Sequence, residues 1–448
     1  MLPIHSLVLA ALVLQDPASK NHFGLRLASA GDLDGDGTPD VLIADTSRHE
    51  DAHVPGRVWV YSPKEDRMLD VLDGACDEHN KHPRFGSALA FLGDVDGDGV
   101  PDFAVGAASE TSSFWEGASG TTPGYVRVYS GRDRRVLWEA SGTRRHDGFG
   151  TSIAAIGDLD GDGVSDMAVG APGRLSGTIA HRRGYVRILS GRDGTVLRTI
   201  EEPLPSVGSR DRDEDSSQFG FSVLGPGDLD GDRIPDLVVG APGLRSGKAR
   251  GGIEYFSGAT GALLRVISDV DPRGRPGLEF GRRLAAVGDL DSDGVPDVLT
   301  GRIDVSLSLH SGKDGTLLRE LEDPERYGYL RGFGDSLAAI GDVDGDGIGD
   351  LAIGCEEHID SGDSYDVTIV SGKSFKVLKV LETTDRFLVV APAGDVDGDG
   401  VPDLLVGRWE DGIVEIYSGK TWRLWRTIRR PPSEDVPDST ATLTQRAR

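Results

Sequence analysis

Short apolar runs recur along the whole chain, broken by turns rich in glycine, aspartate and serine, with no helical period between them. The stretch from Phe149 to Ile200 shows the pattern best. A run at 149–156 leads into an acidic loop, and 167–170 leaves it as a nearly continuous apolar segment, as a strand buried on both faces does. Residues 185–189 then alternate, and Ser190-Gly191-Arg192-Asp193-Gly194 turns the chain into 196–200, a hairpin signal. The stretch therefore predicts four antiparallel strands. The same turn returns at Ser130-Gly131, Ser257-Gly258, Ser311-Gly312, Ser371-Gly372 and Ser418-Gly419, with Ser62-Pro63 as a variant.

Self-comparison explains the recurrence. A nine-residue motif, D-x-D-x-D-x-x-x-D, begins at Asp32, Asp94, Asp158, Asp228, Asp289, Asp342 and Asp395, at intervals of 62, 64, 70, 61, 53 and 53 residues. Six copies follow a Phe-Gly by nine residues, at Phe23, Phe85, Phe149, Phe219, Phe280 and Phe333; the seventh has Phe387-Leu388 at a spacing of eight. Seven four-stranded units predict an all-β fold, a seven-bladed β-propeller with calcium-binding hairpin loops, because radial repetition protects sheet edges. The propeller is expected over residues 22–428, after a segment at 1–20 and before a disordered polar tail at 429–448. Residues 422–428 are expected to complete the seventh blade without strand exchange between the termini.

Alternating oxygen donors on a tight loop suit a hard cation that takes six to eight ligands, which is the requirement of Ca²⁺. Carboxylates at positions one, three, five and nine, with the carbonyl of position seven, give one expected ligand set per unit. The sets are Asp32, Asp34, Asp36, Thr38 and Asp40; Asp94, Asp96, Asp98, Val100 and Asp102; Asp158, Asp160, Asp162, Val164 and Asp166; Asp228, Asp230, Asp232, Ile234 and Asp236. Those of the last three units are Asp289, Asp291, Asp293, Val295 and Asp297; Asp342, Asp344, Asp346, Ile348 and Asp350; Asp395, Asp397, Asp399, Val401 and Asp403. Glycine at position six permits the sharp reversal, and the fourth unit puts Arg233 there, which predicts a strained loop and a weaker site. An EF-hand would need a glutamate at position twelve and flanking helices, whereas position twelve of the first unit is Ile43, inside an expected strand.

Composition supports the metal reading. The formal charge is −26, from 74 acidic and 48 basic residues, but the seven motifs hold 28 of those acids and leave 46 against 48 elsewhere. Up to seven Ca²⁺ ions would bring the charge to −12. The net negative charge disfavours a nucleic-acid backbone as the main partner, since a polyanion binder needs a basic face to release counterions, so nucleic acid is not an expected partner. Residues 4–14 form an apolar run of signal-peptide length without a preceding Lys or Arg, read as a cleaved export signal, and no other run is long enough for a membrane helix. Cys76 and Cys355 fall in distant repeats and are expected to be free.

Phe149-Gly150, residues 157–166 and Val169-Gly170-Ala171-Pro172 resemble the FG-GAP repeat of integrin α-subunit propellers and of bacterial secreted proteins. Later units drift from the Gly-Ala-Pro element, at Gly301-Arg302, Gly354-Cys355 and Gly407-Arg408. The resemblance implies structural calcium and a recognition module, without catalysis, secreted to the cell surface or matrix and binding an extracellular protein or glycan without inserting into a membrane. The alternative is a propeller hydrolase or lyase acting on polysaccharide. No H-E-x-x-H or G-x-S-x-G motif is present. Strand alternation puts the acidic loops and Ser-Gly turns on one face. The opposite face is expected to be more basic and partly aromatic, through Phe114, Trp115, His181, Arg182, Arg183, Arg245, Lys248, Arg250, Tyr327, Tyr329 and Arg331.

Overall fold

The computed structural model describes residues 22–46, 56–75, 84–109, 123–144, 147–173, 183–203, 217–246, 249–268, 280–302, 306–322, 333–355, 365–383 and 388–431. Within them the chain forms seven antiparallel sheets of four strands, each sheet taking its strands in sequence order. This is the expected seven-bladed propeller. In the third blade the strands are Ser152–Gly157, Asp166–Ala171, Tyr185–Leu189 and Val196–Glu201. The innermost strand starts later than its apolar run suggests because Phe149-Gly150 belongs to a turn, closed by Thr151 N–H donating to Gly148 O at 3.0 Å. The second and third strands bury most side chains, while the outer strand alternates and leaves Val196 52% exposed.

Blades adhere through one repeated contact, and it accounts for two motifs at once. The Phe-Gly phenylalanine wedges into the seam with the preceding blade: Phe149 is fully buried among Ala88, Leu92 and Val95 of blade two and Val169 of its own. Its glycine takes a left-handed backbone, with φ +86° at Gly150. The glycine of the preceding blade's second strand lies directly against it. A Cβ on Gly106 would sit 2.4 Å from Gly150 O; on Gly170, 2.0 Å from Gly220 O; on Gly240, 2.0 Å from Gly281 O. Only hydrogen fits there, so Val-Gly-Ala and Phe-Gly are the two halves of one backbone-to-backbone seam.

The ring closes by the same device. A Cβ on Gly407 of blade seven would meet Gly24 O of blade one at 2.3 Å. One continuous core joins Phe23, Ile43 and Trp59 to Val389, Leu405, Trp409 and Ile428. Blade seven is completed by its own strand Leu424–Arg429, and Arg426 Nη1 reaches Asp66 Oδ2 of blade one at 2.7 Å, so closure involves no strand exchange among the described residues. That ion pair is one of a set of clasps in which an outer strand holds the next blade's turn. Trp138 Nε1 donates to Gly191 O at 2.8 Å, Arg198 to Gly258 O at 2.6 Å and Ala259 O at 2.9 Å, and Arg319 to Ser374 O at 3.4 Å.

Gly170→Ala is expected to cost about 1–3 kcal/mol, since its methyl would overlap Gly220 O and Ser152 Oγ and cannot rotate away. At Gly301 a Cβ meets nothing closer than Leu307 Cδ2 at 3.2 Å, so Gly301→Ala should cost much less. Urea unfolding of both variants in calcium measures the difference.

Candidate metal centres

Each acidic motif is the hairpin loop between the first and second strands of its blade, and the loop is folded around its first aspartate. In the third blade Asp158 Oδ1 accepts from Gly161 N–H at 2.7 Å and Asp162 N–H at 3.1 Å, while Oδ2 accepts from Gly163 N–H at 2.8 Å. Asp160 Oδ1 accepts from Asp162 N–H at 3.1 Å, and Asp162 Oδ1 from Val164 N–H at 2.8 Å. The loop needs left-handed backbone twice, at Gly161 (φ +80°) and Gly163 (φ +87°). Position six is the glycine anticipated from sequence, and position four is a second requirement that the spacing alone did not single out. Arg233 in the fourth loop has φ +72°, the strain expected of it, and Ser292 at position four of the fifth loop is strained in the same way at φ +64°.

The ninth position does a different job. Asp166 is fully buried at the head of its strand; Oδ2 accepts from Leu159 N–H at 2.7 Å, and Oδ1 from Gly191 N–H of the same blade's Ser-Gly turn at 3.0 Å. The first bond recurs in all seven loops, at Asp40, Asp102, Asp236, Asp297, Asp350 and Asp403 as well. The second recurs from Gly131, Gly258, Gly312, Gly372 and Gly419. Loop and turn thus share a face, as strand alternation requires, and one buried carboxylate staples them together. Blade one breaks the pattern. Pro63 stands where the others have glycine and has no N–H to give, so Asp40 Oδ1 is buried with no hydrogen-bond partner.

Burial raises the ninth-position carboxyls, most at Asp40, pushed up to about 7 by desolvation and the neighbouring loop carboxylates, and at Asp403, to about 6. Fifth positions go the other way where a turn arginine meets them. Arg132 Nε lies 2.7 Å from Asp98 Oδ2 and Arg192 Nε 2.5 Å from Asp162 Oδ2, and these hydrogen bonds hold both carboxyls below the usual range. Lys373 and Lys420 donate to the fifth-position carbonyls of Asp346 and Asp399, at 3.0 and 3.2 Å. These turn cations were not anticipated; their signal is the Lys or Arg two residues after the turn serine in six of the seven units.

The clustered oxygens fit a calcium-sized ion. In the second to fifth loops one oxygen each from positions one, three and nine lies within 4.8 Å of the others: Asp94, Asp96 and Asp102; Asp158, Asp160 and Asp166; Asp228, Asp230 and Asp236; Asp289, Asp291 and Asp297. In the first loop Asp32, Asp34 and Asp36 come together in this way. Oxygens on opposite sides of one Ca²⁺ at 2.3–2.6 Å are separated by about that distance. Position-seven residues Thr38, Val100, Val164, Ile234, Val295, Ile348 and Val401 each donate N–H to the fifth-position carboxylate, at 2.8–3.0 Å.

Residues 4–14, Cys76, Phe114, Trp115, His181, Arg182, Lys248, Tyr327, Tyr329, Arg331 and the chain after 431 lie outside the described residues. Arg245 and Arg250 lie on strands Asp236–Ser246 and Ala249–Phe256, and Cys355 ends strand Asp350–Cys355. No helix among the described residues is long and apolar enough to cross a membrane.

The FG-GAP repeat family matches residues 85–129, 149–189 and 219–253. Integrin alpha pat-2 of Caenorhabditis briggsae is 31% identical over 49% of this chain and 18% of its own length. Integrin alpha-5 of Xenopus laevis is 30% identical over 50% of this chain and 20% of its own. The chain thus spans about a fifth of the length of these curated relatives. Among solved structures, BBS1N in complex with ARL6DN aligns over 96% of this chain and 99% of its own at a TM-score of 0.53 and 14% identity, a likeness of fold alone. The chain is an FG-GAP repeat protein resembling the β-propellers of integrin alpha subunits.

Two outcomes test the loop energetics. Arg233→Gly should stabilise the chain by about 0.5–1 kcal/mol in urea unfolding, relief of left-handed strain exceeding the added freedom of the unfolded chain. In the ion-free protein, a carboxyl held at about 7 when folded and about 3.9 when unfolded binds more proton in the folded state. Stability in EDTA should therefore rise as pH falls from about 8 towards 5, and Asp40→Asn should flatten that slope in thermal scans.

Proposed function

We propose that this chain is an extracellular recognition propeller in which up to seven Ca²⁺ ions brace the blades and the opposite face binds a protein or glycan. The observation that carries the structural role is the ninth-position staple. The carboxylate best buried in each loop is spent on backbone of its own blade, at Asp166 on Leu159 and Gly191 N–H, which suits an ion that rigidifies the hairpin. The residues that would hold each ion are the carboxylates at positions one, three, five and nine, with the carbonyl at position seven. Calcium would supply charge neutralisation there. Without it, three or four carboxylates crowd one loop, and in blade one the partnerless Asp40 Oδ1 is a ready acceptor of a cation.

The likeness to integrin alpha subunits supports adhesion or recognition over catalysis, secretion over retention in the cell, and an extracellular partner. The fourth site, with Arg233 in place of glycine, should be the weakest, since its side chain brings positive charge to the loop.

Purified chain is to be applied to arrays of glycans and extracellular proteins in millimolar calcium and in EDTA, with thermal melts run in both. Capture that needs calcium, with a melting temperature several degrees lower in EDTA, is the expected result. An unchanged melting temperature would remove the calcium role. Turnover of a polysaccharide panel without capture would replace recognition with enzymatic processing.

A further inference from the structure

One position of the third strand pairs with the residue just before the second strand's seam glycine. In blades two, three and seven it holds Arg127, Arg187 and Glu415, opposite Val105, Val169 and Val406, and each has a partner. Arg127 Nε lies 2.7 Å from Glu139 Oε2, and Arg187 Nη1 donates at 2.8 Å to Ser141 O, at the end of the preceding blade's outer strand. Glu415 accepts from Arg408 Nη1 at 3.1 Å and from Tyr417 O–H at 2.9 Å. In blade four the position is Glu254, opposite Val239. Ala241 stands where blade seven has Arg408, and Phe256 where it has Tyr417, so both of those donors are missing. Glu254 is 1% exposed, and its Oε2 is buried with no hydrogen-bond partner.

The carboxyl belongs to the apolar seam between blades three and four. Strand alternation puts Glu254 on the face of Phe256, which packs with Ile200 of blade three and with Phe219 and Leu244, while Ile253 and Tyr255 turn towards blade five. The Phe219 and Phe256 rings meet edge to face at 5.7 Å. The cross-strand neighbours of Glu254 are Val239 and, on strand Leu263–Ser268, Val266. Arg265 of that strand lies over the Tyr255 ring on the other face, and Arg198 of blade three is held at Gly258 O and Ala259 O. The turn leading into Phe219 supplies Ser217, buried and uncharged. Among the described residues, the charged group that bears on Glu254 is Glu202, itself buried. Glu202 follows blade three's outer strand; its N–H donates at 3.3 Å to Gly184 O, and Gly184 packs on blade four, with Phe219 O 2.0 Å from its notional Cβ. Ser217 and Arg183 offset part of the burial of Glu202.

A carboxylate without a donor in an apolar seam is costly, and the neutral acid is tolerated far better there. We propose that Glu254 makes the seam between blades three and four a proton-sensitive joint, closed while its carboxyl is neutral and loosened once it ionises. Burial and the charge of Glu202 push Glu254 up to about 7. The closed seam therefore holds a proton that an exposed glutamate, at about 4.3, gives up. Closure is favoured at low pH, and that preference is lost as pH rises through about 7. Glu254 belongs to none of the seven acidic loops, so calcium in them does not neutralise it.

The calcium-loaded chain is followed by hydrogen exchange between pH 5 and 8, with rates corrected for their intrinsic pH dependence. Peptides covering 217–224 report Gly220 N–H, which donates to Gly240 O at 3.1 Å. Peptides covering 147–154 report the matching bond from Gly150 N–H to Gly170 O, also 3.1 Å, in the seam where Arg187 replaces the glutamate, and serve as the internal control. Protection of 217–224 is expected to fall by up to about tenfold per pH unit from about 5 to about 7 and to level off by about 8, with 147–154 unchanged. Glu254→Gln should abolish the fall. If that variant does not fold, Glu202→Gln is read in its place, and loss of the neighbouring charge should bring the levelling to lower pH. Equal pH dependence in the two seams of the wild-type chain, a fall that folded Glu254→Gln retains, or levelling that Glu202→Gln leaves in place would overturn the joint.

Discussion

The structure depends on a carboxylate that cannot be left alone. Burying an aspartate is costly unless its oxygens are satisfied, and in six of the seven blades the ninth residue of the acidic loop meets that demand by accepting from the loop's own second residue and from the turn between the third and fourth strands. One side chain therefore fixes the spacing between the first hairpin and the second. The outer strand of the preceding blade then grips that same turn, through Trp138, Arg198 or Arg319. Loop, turn and neighbouring blade form one continuous polar layer on a single face of the ring. An ion held in the loop would thus reach beyond its own hairpin to the seam beside it.

Beneath that layer the blades meet through backbone. Gly170 against Gly220 and Gly407 against Gly24 are approaches that exclude any side chain, and the Phe-Gly aromatics fill the space to either side. The drift of later units from the Gly-Ala-Pro element reads naturally in these terms. The glycine stays, as Gly301, Gly354 and Gly407; at Gly407 the seam requires it, with Gly24 O 2.3 Å from its notional Cβ, and the two residues after it change. Where the fit loosens, as at Gly301 with Gly334 O 3.7 Å from its notional Cβ, the innermost strand nearby is also the shortest, Leu284–Ala286.

Much of this was legible in the chain because the constraints are local and repeated. Strand Tyr185–Leu189 appears where its alternation puts it, and the nine-residue spacing survives because both ends of the loop are pinned by the ninth aspartate. What escaped notice depends on pairs of positions whose meaning appears only in three dimensions. Pro63 looks like a harmless variant of a turn until its missing N–H is matched to Asp40, roughly one hairpin away. Ser292 looks like an ordinary loop residue until its backbone angle is known.

Closure without strand exchange has a consequence for how the ring is assembled. Each sheet is built from one uninterrupted stretch of chain, so a blade can form its hydrogen bonds as soon as that stretch is available, with no strand waiting for a distant partner. The long-range step is deferred to the end, when the core shared by Phe23, Trp59, Trp409 and Ile428 comes together and Arg426 meets Asp66. That junction has side chains and close backbone packing but, among the described residues, no ladder of interstrand hydrogen bonds across it. It is the one place where a curved stack of blades becomes a circle, and the place where the circle would part first under force.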